Sequence, residues 1–199
     1  MTDTTTIPII SPANTVRYDP VAVFLHWTMA LLIIAMLIVG LTMEDYPQNI
    51  RFLAYNLHKA TGITILGLSV FRLVWRFMNP PPALPARMKP WERVCAHLAH
   101  WGLYALMIGM PLSGWLMVSA KPKYPIVFFG LGEAPFIPMP ADASLVKSIR
   151  GLSYEAHELL AYGAIALIIL HASAALKHHF ISRDTVLVQM LPRFLTRRS

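Results

Sequence analysis

The chain has 199 residues, of which 56% are hydrophobic, and its mean hydropathy is +0.52. This composition excludes an ordinary soluble domain and predicts an integral membrane protein. The formal net charge of +7 does not indicate a nucleic-acid partner, because Lys and Arg cluster beside apolar stretches, as they do in membrane proteins. Cys95 is the only cysteine, which excludes an intrachain disulfide and a cysteine-rich zinc or iron–sulfur site.

Four apolar stretches are long enough to cross a membrane as helices. Their predicted bounds are about 21–43, 57–77, 91–118 and 154–180. The predicted fold is therefore all-α, an up-down bundle of four transmembrane helices that forms a single domain over residues 1–199. The proline-rich connection 119–153 is too broken to span, so it either caps the bundle or roofs a site on that face.

The distribution of basic residues predicts the orientation of the bundle. One side of the bundle would hold Arg17, the tract 72–93 and the tail 177–198. This side has more Lys and Arg residues than the two loops on the opposite side. Basic residues are retained on the cytoplasmic side of a membrane. We therefore expect both termini in the cytoplasm and the connection 119–153 outside.

Histidines interrupt the predicted spans at matching depths. His26 lies near the start of the first span, His58 opens the second, and His157 and His171 lie in the fourth. The spacing within the fourth span gives about 21 Å of helical rise and about 40° of rotation, so both rings leave one face near opposite edges of the hydrocarbon layer. Depth then pairs His26 with His171 near the inner edge and His58 with His157 near the outer edge.

Two imidazoles that face each other from different helices suit the axial positions of a haem iron. The fourth span would then donate one ligand to each of two b-type haems enclosed by the bundle. The alternative for any single histidine is a hydrogen bond to a neighbouring helix. A third interpretation, a zinc transporter, is disfavoured because the interior of the spans is almost free of Asp and Glu.

Three further residues are candidate cofactor-binding groups. Arg72 follows His58 by the same step that separates the two histidines of the fourth span, so it reaches the depth of the inner pair. There it could hold a haem propionate or serve as an interfacial arginine. His97 and His100 lie near the inner end of the third span, where they could hold a propionate or a quinone oxygen, or act as polar groups at a helix end.

Seven motifs spread along the chain together resemble the bacterial cytochrome b561 family of small four-helix dihaem membrane cytochromes. They are F-L-H-W at 24–27, L-H-K-A-T-G at 57–62, F-R-L-V-W-R at 71–76, A-H-L-A-H-W at 96–101, E-A-H-E at 155–158, L-H-A-S-A-A-L-K-H-H-F at 170–180 and R-D-T-V-L-V-Q-M-L-P at 183–192. The resemblance implies bis-histidine ligation by His26, His58, His157 and His171, in agreement with the pairing by depth. It also implies electron exchange with the quinone pool.

The resemblance leaves two functions open. One branch is similar to a superoxide oxidase, which takes electrons from superoxide at the outer face and passes them to ubiquinone. Other branches are electron-carrying anchor subunits that bind a redox partner protein within larger dehydrogenases or hydrogenases. We expect a superoxide:ubiquinone oxidoreductase of the bacterial inner membrane, with the conduit as the alternative. Lys121, Lys123, Lys147 and Arg150 could steer the anionic substrate or form a solvated loop.

Overall fold

The computed structural model describes residues 16–196, so the ends of the predicted domain, 1–15 and 197–199, lie outside the described residues. Four long helices dominate the fold, and each is long and apolar enough to cross a membrane. They are α1 (Pro20–Thr42), α2 (Gln48–Met78), α3 (Pro90–Ser119) and α4 (Ala143–Lys177). The predicted all-α bundle of four membrane helices is confirmed.

Short elements join and extend the four helices. They are a 3₁₀ turn (Met43–Asp45), β1 (Ile126–Val127), β2 (Glu133–Ala134), a π-helical turn (His178–Ser182), α5 (Val186–Met190) and α6 (Arg193–Thr196). The two strands pair antiparallel within the connection between α3 and α4. The π-helical turn continues α4 and is capped by Arg183, whose φ of 51° and ψ of 42° lie in the left-handed region.

Two helices begin earlier than hydropathy predicts. The second starts at Gln48 rather than near 57, and the fourth starts at Ala143 rather than near 154. The added turns contain exposed polar residues, so an apolar window does not detect them. Asp142 caps α4, because its side chain accepts hydrogen bonds from the amides of Ser144 and Leu145 at 2.7 and 3.2 Å.

The helices pack in chain order around the bundle. Close contacts join α1 to α2, α2 to α3 and, most extensively, α3 to α4. The backbone of α4 makes few close approaches to α1 and α2, so side chains bridge those two gaps. Large apolar side chains such as Phe24 and Leu31 are exposed, which suits helices that face lipid.

The connection between α3 and α4 covers one end of the bundle, which we call the loop-side end. Its strand β1 is bound to α2, because the side chain of Asn56 exchanges two hydrogen bonds of 3.2 Å with the backbone of Val127. Lys59 donates to the carbonyl of Pro125 at 3.1 Å, and Ile126 is 1% exposed. The connection is therefore held against α2 at Asn56 and Lys59.

Residues 16–19 and 183–196 cover the opposite end, which we call the terminal-side end. Arg17 donates to the carbonyls of Val188 and Leu191 at 2.9 and 2.7 Å, and the indole of Trp27 donates to the carbonyl of Met190 at 2.9 Å. Lys177 also forms a salt bridge with Glu92 that joins α4 to α3. The first and last described segments thus pack against the same end of the bundle.

Candidate functional site

His26 and His171 face each other across the gap between α1 and α4. Their ring centroids lie 6.2 Å apart, and the ring planes cross at 61°. We call them the terminal-side pair. His100 on α3 is adjacent, with its ring centroid 5.5 Å from that of His171.

Arg72 reaches the terminal-side pair from α2, at the depth that the sequence predicted. Its Nη2 donates to Nδ1 of His26 at 3.0 Å, and its Nε donates to the hydroxyl of Tyr104 at 3.4 Å. Arg76, one turn later, places its guanidinium 5.6 Å from the centroid of the Tyr104 ring. Arg72 therefore contacts the terminal-side pair directly, whereas Arg76 packs on Tyr104, the residue that Arg72 also contacts.

Tyr18 lies just before α1, on the same side as these arginines. Burial raises the pKa of the Tyr18 phenol, although the charge of Arg76 opposes this shift. The phenol therefore remains a neutral hydrogen-bonding group at physiological pH, and it contributes no negative charge beside the guanidinium.

His58 and His157 face each other across the gap between α2 and α4. Their ring centroids also lie 6.2 Å apart, and the ring planes cross at 74°. We call them the loop-side pair. Helix α4 thus supplies one ring to each pair, and Ala164, which is 4% exposed, lies midway between the two rings in sequence.

The loop-side rings lie directly against two glycines of other helices. A Cβ atom on Gly114 would lie 3.0 Å from Cε1 and 3.2 Å from Nδ1 of His157. A Cβ atom on Gly40 would lie 3.2 Å from Cε1 of His58. Any larger residue would push the rings, so these glycines permit the close approach.

The two loop-side rings have different hydrogen-bonding environments. Nδ1 of His157 lies 3.0 Å from the carbonyl oxygen of Met110 and 3.1 Å from Oγ of Ser113. By contrast, Nδ1 of His58 is buried and has no hydrogen-bond partner among residues 16–196. An unpaired buried polar atom is unfavourable, so it marks a position where a bound group would add an interaction.

The structure separates the two candidate histidines of α3. His100 contacts the terminal-side pair, whereas His97 is exposed and lies outside the cluster of rings. Gly40, Met110 and Ser113 were not identified from the sequence. A carbonyl and a glycine carry no signal that distinguishes a contact with a ring from ordinary helix packing.

A cavity of about 360 Å³ opens at the loop-side end. It is lined by Phe52, Tyr55, Asn56, Lys59, Val118, Lys121, Lys123 and Tyr124. Asn56 and Lys59 flank His58 in sequence, and three of the lining residues are lysines. Lys147 and Arg150, in the first turns of α4, are exposed and do not line this cavity.

Comparisons with known proteins identify a family that this chain matches. The family model described as prokaryotic cytochrome b561 matches residues 17–193. The chain is 34% identical to "Cytochrome b561 homolog 2" of Escherichia coli (strain K12), over 88% of this chain and 91% of that protein. It is 28% identical to "Probable superoxide oxidase CybB" of Yersinia pestis, over 89% of this chain and 97% of that protein.

The chain belongs to the prokaryotic cytochrome b561 family. It is therefore a bacterial membrane cytochrome that carries electrons by means of b-type haem. This confirms the resemblance inferred from the seven motifs.

Both histidine pairs fit a haem. When two imidazoles bind one iron from opposite sides, each metal–nitrogen bond is about 2 Å long and each bound nitrogen lies about 1 Å from its ring centre. The two ring centres are then about 6 Å apart. Both measured separations are 6.2 Å. Within residues 16–196 no group of three or more His, Cys, Asp or Glu side chains could hold a metal ion. A haem needs only two protein ligands because its porphyrin supplies the rest.

Proposed function

We propose that the protein holds two b-type haems and transfers electrons across the membrane from superoxide to ubiquinone. His26 and His171 would ligate one haem, and His58 and His157 the other. The observation that carries this proposal is that the two histidines of α4 each face a partner ring at the same separation. When bound, the haems supply one-electron carriers near both faces of the membrane.

Bis-histidine ligation occupies both axial positions of each iron, so neither haem would bind oxygen directly. The chemistry is therefore outer-sphere electron transfer. Two superoxide anions each give up one electron and become O₂. One ubiquinone accepts the two electrons together with two protons and becomes ubiquinol.

The cavity at the loop-side end supports superoxide as the donor. Lys59, Lys121 and Lys123 bring positive charge to its lining, and Phe52 and Tyr124 give it apolar walls. Positive charge around a cavity raises the local concentration of a small anion. We propose that this end faces the periplasm and that both termini are cytoplasmic, as the distribution of Lys and Arg predicts.

Arg72 and His100 are the proposed polar partners of cofactor and quinone at the terminal-side end. An arginine can only donate, so Nδ1 of His26 accepts the hydrogen bond from Arg72, and a neutral His26 then has its proton on Nε2. If Nε2 bound iron, the neutral imidazole would carry its proton on Nδ1 instead, and Nδ1 could no longer accept from Arg72. The guanidinium would therefore release His26 when haem binds, and a propionate is the anion with which it would pair.

The proposed activity can be tested with the purified haem-loaded protein, a steady source of superoxide and excess ubiquinone. We expect one ubiquinol for every two superoxide anions consumed, because the electrons must balance. Haem-free protein prepared in the same detergent is the control. Superoxide loss no faster than in this control would contradict the enzymatic function and favour the electron conduit of a larger complex.

A further inference from the structure

Helix α3 supplies no ring to either pair, but one of its turns holds His157. Met110, Ser113 and Gly114 contact this imidazole through a carbonyl oxygen, a hydroxyl and a bare Cα. The absence of a side chain at Gly114 brings the ring close enough to the helix backbone for the two polar contacts to form.

The donor and acceptor roles in these contacts indicate which nitrogen of His157 carries the proton. The carbonyl of Met110 can only accept, so the hydrogen bond of 3.0 Å requires a proton on Nδ1. The hydroxyl of Ser113 donates to the same carbonyl at 2.7 Å, which leaves its lone pairs free to accept from Nδ1 at 3.1 Å. Nε2 of the neutral ring therefore carries a lone pair and no proton.

This arrangement differs from that of His26 and His58, the partner rings supplied by α1 and α2. Nδ1 of His26 accepts from Arg72, and Nδ1 of His58 has no partner among residues 16–196. The contacts with α3 therefore leave Nε2 of His157 without a proton, which is the form that binds a metal. Hydrogen bonding at the second nitrogen also makes a histidine ligand more basic.

We propose that Ser113 and the carbonyl of Met110 are positioning groups that fix the His157 imidazole with Nε2 as the iron ligand and lower the reduction potential of the loop-side haem. A more basic imidazole stabilises ferric iron over ferrous iron. This inference rests on the proposed dihaem function, because it concerns the haem of the loop-side pair.

The test is a potentiometric titration of the purified haem-loaded protein, followed by optical absorption. Two one-electron transitions are expected from wild type. Ser113→Ala removes one of the two acceptors for the Nδ1 proton, so we expect one transition to move to higher potential and the other to stay in place. Ser113→Thr keeps the hydroxyl and should restore the wild-type value. Ser113→Cys offers a weaker acceptor and should give an intermediate shift.

Ser69→Ala is the matched control. Like Ser113, Ser69 donates to a helix carbonyl: its hydroxyl lies 2.7 Å from the carbonyl oxygen of Ile65 and 3.3 Å from that of Met107, but no hydrogen bond joins it to a histidine among the described residues. We expect both potentials to be unchanged in this variant. Equal shifts in Ser69→Ala and Ser113→Ala would show a general effect on packing and overturn the inference.

Other outcomes also decide against the inference. No shift in Ser113→Ala, a shift to lower potential, or an equal shift of both transitions would each overturn it. If Ser113→Ala loses a haem, the Ser113→Cys and Ser113→Thr proteins give the same comparison. A wild-type protein that binds fewer than two haems would instead contradict the proposed function, and haem content measured on the same samples separates the two failures.

Discussion

Gly114 on α3 lies directly against the ring of His157 on α4. A Cβ atom at this glycine would lie 3.0 Å from Cε1 of the imidazole, a tighter contact than most Cβ atoms make in proteins. Gly40 on α1 has the same relationship to His58, with 3.2 Å to Cε1. The two rings of the loop-side pair are thus held at their separation by helices that donate neither of them.

We expect Gly114→Ala to remove the loop-side haem and leave the terminal-side haem bound. The added methyl group must displace the His157 ring or separate α3 from α4, and such overpacking costs about 1–3 kcal/mol. Haem content per protein should fall by about half, because one axial ligand is displaced from one of two sites. Pyridine haemochrome analysis of the purified variant measures this directly.

Gly67→Ala on α2 is the control for this substitution. Gly67 also lies in a membrane helix, but a Cβ atom there would meet no atom within 4 Å. This variant should keep both haems. A Gly114→Ala protein with full haem content would contradict the close contact with His157.

We expect the double variant Lys121→Glu, Lys123→Glu to oxidise superoxide more slowly, by an order of magnitude at low salt. Both lysines line the cavity at the loop-side end, and reversing their charge repels an anion. The difference from wild type should shrink as salt is added, because the screening length falls from about 30 Å at 0.01 M to about 8 Å at 0.15 M. Rates measured over a salt series provide the test.

A second double variant, Lys147→Glu, Arg150→Glu, controls for net charge. It changes the charge by the same amount on the same side of the bundle, but these residues are exposed and lie outside the cavity lining. We expect a smaller effect on the rate. If both doubles slow the reaction equally, the cavity has no special role in admitting the anion.

Much of the fold was predictable because its strongest determinants are local. Long apolar stretches identify membrane helices by themselves, and the bounds of α1 and α3 agree closely with the predicted spans. The early starts of α2 and α4 were missed because Arg51 and Lys147 interrupt hydropathy in turns that lie outside the apolar stretch. The Asp142 cap was the available signal for the start of α4.

The ring pairs were predictable for a similar reason. Helical rise converts sequence spacing into depth, so His26 with His171, and His58 with His157, could be matched before the structure was known. The contacts of Ser113 and Gly40 could not be predicted in this way. They depend on how far each helix rotates and how closely two helices approach, and a single sequence records neither quantity.

The orientation of the bundle can be tested with a reporter enzyme fused after Ser199. We expect a reporter that is active only in the cytoplasm to be active, because basic residues are concentrated beside both termini. A reporter that requires the periplasm, fused at the same position, serves as the reciprocal control. An external C-terminus would reverse the faces and place the lysine-lined cavity in the cytoplasm.

The central claim is that four histidines hold two haems in the pairs His26 with His171 and His58 with His157. Replacing either member of a pair with Ala should remove the same haem, because a haem positioned by two ligands is seldom retained by one. Each single variant should therefore keep about half of the haem. The two variants of a pair should share one residual optical spectrum and one midpoint potential.

The most direct measurement is the haem content of two double variants compared with the single variants. His26→Ala with His171→Ala should retain as much haem as either single variant, because both substitutions act on one site. His26→Ala with His58→Ala should lose nearly all haem, because it disrupts both sites. If His26→Ala and His157→Ala instead shared one residual spectrum and potential, or if the second double retained half of the haem, the proposed pairing would be wrong.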